Sequence, residues 1–275
     1  MSSLAIALVL LSAVLHATWN AMLKRSPDPR VSAVVIIVGA ASLSAILALA
    51  LGESWPASGA WPWIVASSLI EAGYFVTLTL ALERLPLGTA YGLSRGGGQL
   101  LVWPVSMLLL HEAAEPLALV GAVVLAAGLF ALVQGGGHRA GLVFAGLCAV
   151  FIGLYPVAYK AALHAGAGRA TLFSLSLAGA VPAQLLLVGK GAWPRLAAAV
   201  RAAPWRSVFA ATLCAVSFLS FLAALELEGA ARLTALRNTS VVFAALWGWS
   251  QGEPRTVRSL ASALAISAGA VLVTL

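Results

Sequence analysis

Apolar runs of about 20 residues recur along this whole chain, and they limit its fold more than any other feature. Ten runs can be marked, at residues 3–23, 31–51, 61–82, 87–110, 116–134, 140–160, 170–189, 205–225, 230–250 and 256–275. A bilayer core about 30 Å thick needs roughly 20 helical residues at about 1.5 Å each. Each run is therefore long enough to cross a membrane, and little chain remains for a soluble domain.

The composition and the pattern inside the runs indicate helices in a bilayer. Hydrophobic residues make up 61% of the 275 and charged residues only 9%, too apolar a mixture for one soluble core. Strands of a membrane barrel would alternate apolar and polar residues, whereas these runs are continuous. The first run lacks a basic segment before it, so we expect a retained helix and not a signal peptide. We predict an all-α integral membrane protein.

The basic residues are distributed by loop. The chain has 16 Lys and Arg against nine Asp and Glu, an excess that by itself could suggest a nucleic-acid partner. Eleven of them lie in the loops after odd-numbered runs, and only Arg169 and Arg232 lie in the opposite loops. The positive-inside rule then places the odd-numbered loops in the cytoplasm and both termini outside. We expect a multi-pass protein of a bacterial-type inner membrane, with no nucleic-acid partner.

The two halves of the chain resemble each other. The matching stretches are WNAMLK (19–24) with YPVAYK (155–160), ALERLPLGTAYGLSR (81–95) with AALELEGAARLTALR (223–237), and LLLHE (108–112) with WSQGE (249–253). A glycine-rich linker at 135–139 separates the halves, 1–134 and 140–275. Because each half has five runs, an odd number, the second would enter the membrane from the opposite side. We predict ten transmembrane helices as two inverted five-helix repeats, with a site between them that opens alternately to each side.

Three motifs carry a resemblance to a known family. HATWNAMLKRS follows a short apolar run, LSR leads to LLLHE in the fourth run, and LRNTSVVFAALWGWSQGE fills the ninth. Over nearly its whole length the chain resembles EamA-type members of the drug/metabolite transporter superfamily. The resemblance implies ten helices in two inverted repeats and the transport of a small metabolite across the inner membrane, often outward. It leaves the substrate open.

A charge within the fourth run marks the first candidate binding residues. Arg95 lies eight residues into this run, where a charge costs at least about 2.5 kcal/mol and should face the bundle interior. Tyr91, Ser94, Gly98 and Gln99 share its helical face at spacings of three and four. We predict that Tyr91, Arg95 and Gln99 bind substrate. Alternatively, Arg95 pairs with backbone carbonyls or an acid only to hold helices together.

Arg237 occupies the mirror position in the ninth run. Together with Thr234 and Asn238 it repeats the i, i+3, i+4 cluster. Because the ninth run enters from the other side, Arg95 and Arg237 would each meet a substrate in one open state. Arg237 and Asn238 are therefore candidate substrate-binding residues.

Aromatic and polar residues of the first and sixth runs complete the predicted site. His16, Trp19 and Asn20 lie together near the end of the first run, and Tyr155 and Tyr159 share a face of the sixth. We predict substrate contact for all five. For His16 an interhelical hydrogen bond is an equal alternative.

Glu71 is the acid that lies well inside a run, with Tyr74 at i+3. If it pairs with an arginine, it is structural; if it lies alone in a dry pocket, it can take up a proton and couple transport to a proton gradient. We include Glu71 and Tyr74 among the candidate site residues.

The residues within the runs indicate the cargo. Arg95, Lys160 and Arg237 outnumber Glu71, which favours an anionic or zwitterionic small molecule such as an amino acid. Open alternatives are a flippase for lipid-linked head groups and a proton-coupled cation exporter that uses Glu71. A membrane enzyme acting on lipid phosphate is disfavoured, since no carboxylate adjoins His16.

The sequence contains no nucleotide- or metal-binding motif, so we expect no cofactor. We expect membrane lipid and protons as partners besides the substrate. The protein is expected to be a monomer or a homodimer.

Overall fold

The fold is known from a computed structural model that describes residues 1–110, 117–133, 138–253 and 256–273, without the side chains at 103, 106, 107, 109, 110, 118 and 133. In the described ranges the chain is almost entirely helical. Most of the predicted linker, and Glu112 of the LLLHE motif, lie outside the described residues.

Twelve α-helices and one short 3-10 turn follow one another in the described part of the chain. They are α1 (Ser3–Lys24), α2 (Pro29–Ala50), the 3-10 turn (Ser58–Ala60), α3 (Trp61–Arg84), α4 (Leu87–Leu110), α5 (Leu117–Val133), α6 (Arg139–His164), α7 (Arg169–Val188), α8 (Ala192–Ala202), α9 (Pro204–Leu227), α10 (Ala230–Arg237), α11 (Ser240–Ser250) and α12 (Val257–Leu272). Six helices are long and apolar enough to cross a membrane: α1, α2, α3, α6, α7 and α9. The first eight predicted runs and the tenth each coincide with one helix.

Local signals in the sequence start several helices. The Ser2 side chain accepts a hydrogen bond from Ala5 N at the start of α1, and Asp28 does the same for Val31 N at the start of α2. Proline occupies the first turn of α2, α3 and α9, where its missing N–H leaves no helical bond unmade. These signals lie close to the starts of the apolar runs marked in the sequence, so the helices begin near those positions.

The ninth predicted run is not one continuous helix, which corrects the prediction for 230–250. Turn residues Asn238 and Thr239 separate α10 from α11. Across the break Val241 N bonds to Asn238 O and Val242 N to Thr239 O, the tighter i→i+3 pattern of a 3-10 turn. Because Asn and Thr have low helix propensity, this is the weakest point of the run, and it follows directly after Arg237.

The segment after α7 contains a helix where the sequence analysis placed only a loop. α8 is 11 residues long, too short to span a membrane, and none of its residues is fully buried. Its apolar residues are mostly alanine, so no apolar run reveals it in the sequence. Leu196 and Ala199 of α8 pack on Val31, Val34 and Val188.

Large apolar side chains cover the outer surface of the bundle. Leu49 and Leu186 are each 82% exposed, and Leu69 is 69% exposed. Soluble proteins rarely expose broad apolar surfaces, whereas a lipid-facing helix must do so. Inside the bundle, α4 and α6 approach closely because Gly98 and Gly153 face each other's helix, as small residues permit in membrane bundles.

The helix contacts repeat when the two halves are exchanged. Contact of α3 with α6 corresponds to contact of α9 with α1, and contact of α3 with α7 corresponds to contact of α9 with α2. Likewise, α4 packs on α6 as α10 and α11 pack on α1. Across the halves, α2 packs on α7 and α5 on α12. Each of these contacts between a helix of the first half and a helix of the second half therefore has a counterpart in which the two halves exchange roles.

Two lysines at the matched helix ends make equivalent bonds. Lys24 Nζ donates to the carbonyl oxygens of Leu82 and Leu85 at the C-terminus of α3. Lys160 Nζ donates to the Glu228 carbonyl oxygen at the C-terminus of α9. A cation is favourable where helix carbonyls lack partners, so both lysines stabilise helix ends.

Acids at two other helix ends cap N-termini. Glu53 accepts hydrogen bonds from the backbone N–H groups of Ala170 and Thr171 at the start of α7, and Glu253 accepts one from Leu87 N at the start of α4. Free N–H groups and the helix dipole both favour a carboxylate there. These acids stabilise helix junctions, which sets them apart from Glu71 in the middle of α3.

Candidate functional site

All the predicted site residues are buried in the centre of the bundle. Those with at most 1% of their surface exposed are His16, Trp19, Asn20, Glu71, Tyr74, Tyr91, Arg95, Gln99, Tyr155, Tyr159, Arg237 and Asn238. They come from α1, α3, α4, α6 and α10 and the turn after it, so both halves contribute. Such complete burial of polar groups requires partners for most of them.

Arg237 is the centre of a hydrogen-bond network. Its Nη1 donates to the Tyr155 hydroxyl at 2.7 Å, and its Nη2 lies 3.2 Å from Ser217 Oγ and 3.0 Å from His16 Nδ1. The guanidinium also lies over the rings of Phe218 and Phe221, 4.8 and 4.3 Å from their centroids. Hydrogen bonds and cation–π contacts together compensate for burying this charge.

The position of the histidine proton follows from these bonds. A guanidinium has no acceptor, so His16 Nδ1 must accept from Arg237. His16 Nε2 lies 3.1 Å from the Tyr74 hydroxyl, and in the neutral tautomer that remains it donates to Tyr74. The interhelical hydrogen bond weighed for His16 is therefore present and runs from α1 to α3.

Aromatic rings surround the network. The His16 ring lies 4.9 Å from Trp19 and 5.9 Å from Tyr91, centroid to centroid. Tyr155 lies 6.0 Å from Tyr74 and 5.7 Å from Tyr159. These separations are typical of edge-to-face and tilted ring pairs, so the first, third, fourth and sixth helices form one continuous aromatic cluster.

Arg95 contrasts with its mirror residue Arg237. It is 1% exposed, and none of its three guanidinium nitrogens has a hydrogen-bond partner among the described residues. Its nearest favourable contact is the Tyr91 ring, whose centroid is 5.6 Å from the guanidinium carbon. The alternative in which Arg95 pairs with carbonyls or an acid is thus not observed in the described part of the chain. Its five N–H donors are therefore not used by protein acceptors in the described residues.

Glu71 is bound by a tyrosine. The Tyr159 hydroxyl donates to Glu71 Oε1 at 2.7 Å. The other oxygen, Oε2, is buried and has no partner within the described residues, and no ion pair with Arg95 or Arg237 is found there. Glu71 is therefore neither paired with an arginine in the described residues nor alone in a dry pocket. It lies in the polar cluster with one oxygen bonded to Tyr159 and the other available.

Three predicted residues lie outside the hydrogen-bond network of Arg237. Asn20 Nδ2 donates to the His16 carbonyl oxygen within α1, and Gln99 Nε2 donates to Ala231 O on α10 at 3.3 Å. The Asn238 side chain has no hydrogen bond among the described residues. Gln99 therefore connects α4 to α10, and within the described residues none of the three side chains hydrogen-bonds to a ring of the aromatic cluster.

The sequence analysis missed four residues that belong to the cluster. Ser217, Phe218 and Phe221 of α9 contact Arg237, and Ser217 Oγ also donates to Ser12 O at 2.9 Å. The signal was the i, i+4 pair of Ser217 and Phe221, which lies on one face of the helix.

The electrostatics of the cluster favour a negatively charged ligand. Lys160 is only half-buried and stabilises a helix end, so it is not counted among the buried charges of the cluster. Among the described residues the fully buried ones with a formal charge are Arg95, Arg237 and Glu71, two cations against one acid. No group of three metal-ligating side chains is found in the described residues. A carboxylate or phosphate fits the guanidinium of Arg95 through parallel N–H···O bonds.

The fold and the site define an all-helical, multi-pass membrane protein with a buried polar centre. Residues 139–275 match the EamA-like transporter family. The chain is accordingly an EamA-type member of the drug/metabolite transporter superfamily, whose members are transporters.

Comparison with solved structures supports the fold. One crystal structure has a TM-score of 0.73 and 20% sequence identity, covering 99% of this chain and 96% of that chain. At this identity the likeness shows the fold alone. No curated protein matches the sequence significantly.

Proposed function

We propose that the chain is a secondary transporter for a small anionic or zwitterionic metabolite, such as an amino acid or a related compound, and that it exports this substrate across the inner membrane. The buried guanidinium of Arg95, which has no hydrogen-bond partner among the described residues, is the observation that carries the proposal. An unpaired charge at this depth costs several kcal/mol, a cost that a bound carboxylate or phosphate would offset. A purely structural arginine would have partners.

We further propose ten membrane-spanning helices in two inverted repeats, 1–134 and 140–275, joined by the linker 135–139. The exchange symmetry of the helix contacts and the equivalent bonds of Lys24 and Lys160 support this arrangement. The loop charges support termini on the outside and odd-numbered loops in the cytoplasm. Two repeats in one chain are enough for alternating access, so a monomer would be functional.

The site geometry suggests how the two arginines divide the work. Arg237 already has three hydrogen-bond partners, so it orients His16, Tyr155 and Ser217. Arg95 has none in the described residues and would bind the anionic group. Because the cluster is inaccessible in this conformation, substrate would enter only after the repeats separate on one side. Binding would then stabilise the closed state by the energy of the new ion pair.

Counterflow in proteoliposomes tests this function. We expect preloaded proteoliposomes with wild-type protein to exchange anionic and zwitterionic small metabolites and not cationic ones, because the buried cluster carries excess positive charge. Uptake of a labelled anionic or zwitterionic amino acid against a panel of unlabelled competitors is the measurement. Exchange restricted to cations would contradict the proposal and favour a cation exporter. Transfer of lipid-linked head groups alone would favour a flippase.

Proton coupling through Glu71 is a second element of the proposal, favoured by the Tyr159 bond and by an Oε2 that has no partner among the described residues. We expect Glu71→Gln to lose acceleration of transport by an imposed pH gradient while it keeps counterflow, since glutamine cannot release a proton. Tyr159→Phe should keep a pH response, because the carboxyl group remains.

Glu226→Gln is the matched control for the Glu71 experiment. This acid is 41% exposed and lies beside Arg169 on the surface, so its loss should leave both rates unchanged. An unaltered pH response in Glu71→Gln would remove Glu71 from the coupling mechanism.

A further inference from the structure

The amphipathic helix α8 forms one wall of an apolar groove. The groove has a volume of about 650 Å³ and lies between α2, α7, α8 and α9. Its walls include Val38, Val181, Leu185, Trp193, Val200 and Val208. Arg201 is the charged residue among the described residues that line it. The groove is open on the outer surface of the bundle, where apolar side chains of α2 and α7 face the surroundings.

Basic residues and tryptophans accompany the groove. The segment 189–206 contains Lys190, Arg195, Arg201 and Arg206 and no acid. Arg195 is held by Asp28 and by the Val188 carbonyl oxygen, which fixes α8 to the ends of α2 and α7. Trp193 is 73% exposed and Trp205 is 83% exposed. Exposed tryptophans beside basic residues are typical of the membrane–water interface.

Arg201 lies at the groove with its charge accessible. It is exposed, and its Nε donates to Ala197 O one turn earlier in α8 at 3.1 Å. This bond directs the side chain back along the helix that forms the groove wall. An apolar groove beside an accessible guanidinium at the interface matches the two parts of a phospholipid, an acyl chain and an anionic head group.

We propose that this groove is a binding site for an anionic diacyl phospholipid, with an acyl chain between α2, α8 and α9 and the phosphate at Arg201. Arg201, with Lys190 and Arg206 nearby in the segment, selects the anionic head group, whereas Arg195 is paired with Asp28. The apolar walls exclude a free anion from the groove itself. The groove differs from the buried polar site around Arg95 and Arg237, because it is exposed and apolar and is shared by α2, α7, α8 and α9. It does not depend on which metabolite is carried.

Lipid binding to the full-length protein can be measured by native mass spectrometry from detergent with added phosphatidylglycerol or phosphatidylcholine. We expect wild type to bind phosphatidylglycerol more tightly than phosphatidylcholine. Arg201→Gln should weaken phosphatidylglycerol binding about fivefold, the effect of one basic residue near a lipid surface. Val200→Trp, which fills the groove, should reduce the binding of both lipids.

Arg25→Gln is the matched control, because Arg25 is an exposed cation directly after α1, close in sequence to Asp28, which binds Arg195. It should leave lipid affinity nearly unchanged. Equal binding of the two lipids by wild type, or equal losses in Arg25→Gln and Arg201→Gln, would overturn the proposal in favour of a diffuse charge effect. A dimer that Val200→Trp abolishes, without any lipid adduct, would assign the groove to a second copy of the chain. Unchanged helicity and elution volume establish that each variant is folded.

Discussion

Arg95→Gln is expected to abolish transport and at the same time to raise the thermal stability of the protein. The wild-type guanidinium is buried without a hydrogen-bond partner among the described residues, and a charge at this depth costs at least about 2.5 to 3.5 kcal/mol. Glutamine removes the charge and keeps a polar side chain. The free energy of unfolding should therefore increase by about 1 to 3 kcal/mol.

The same substitution removes the group proposed to bind the anion. Truncating one partner of a buried, hydrogen-bonded charge pair costs about 2 to 5 kcal/mol, so substrate affinity should fall at least about thirtyfold. Counterflow measures the loss of transport, and a thermal melt in detergent measures the gain in stability. Saturating substrate should raise the melting temperature of wild type and leave that of the variant unchanged.

Arg139→Gln provides the control for Arg95, because this arginine is exposed at the start of α6. It should change neither transport nor melting temperature. If Arg95→Gln transports like wild type, the arginine does not bind substrate. If the variant melts at a lower temperature, Arg95 has stabilising partners and is structural.

Arg237→Gln is expected to have the opposite effect on stability. Its loss leaves the Tyr155 hydroxyl, Ser217 Oγ and His16 Nδ1 without their common donor. Each unsatisfied buried group costs about 1 to 3 kcal/mol, and the contacts with two phenylalanine rings are lost as well. We expect the free energy of unfolding to fall by about 3 kcal/mol, measured by chemical or thermal denaturation in detergent.

Arg237→Lys separates the role of charge from that of geometry. Lysine keeps the cation but lacks the planar fork and the ring stacking of arginine, so it should recover only part of the lost stability. A melting temperature at or above that of wild type in Arg237→Gln would show that the network does not stabilise the fold. Opposite signs for Arg95 and Arg237 are the specific expectation, because the two residues match in sequence and differ only in their partners.

Much of the architecture could be read from the sequence. Apolar runs alone predicted the positions of α1 to α7, α9 and α12 closely. The family assignment also followed from sequence motifs, and the match of residues 139–275 confirms it. The break after Arg237 and the helix α8 could not be predicted, because one depends on a local 3-10 turn inside an apolar run and the other has no apolar run.

The residues of the site could be predicted from the sequence, but their hydrogen-bond partners could not. Helical spacing placed Tyr91, Arg95 and Gln99 on one face, and all three are buried. That Gln99 reaches Ala231 while Arg95 has no described partner depends on how α4 meets α10, which no spacing within α4 encodes. Ser217 and Phe221 of α9 were missed for the same reason.

The sequence by itself determined that this protein folds in a lipid bilayer, where most of its helices lie and which polar residues are buried. Hydrophobicity and helical periodicity are properties of a local stretch of chain. Only the tertiary structure decided that Arg237 has three hydrogen-bond partners while Arg95 has none among the described residues, and that Glu71 bonds Tyr159 and, in the same part of the chain, neither arginine. Hydrogen bonds act over about 3 Å between atoms that are distant in sequence. Their partners are therefore set by helix packing, and this packing distinguishes two arginines that the sequence makes equivalent.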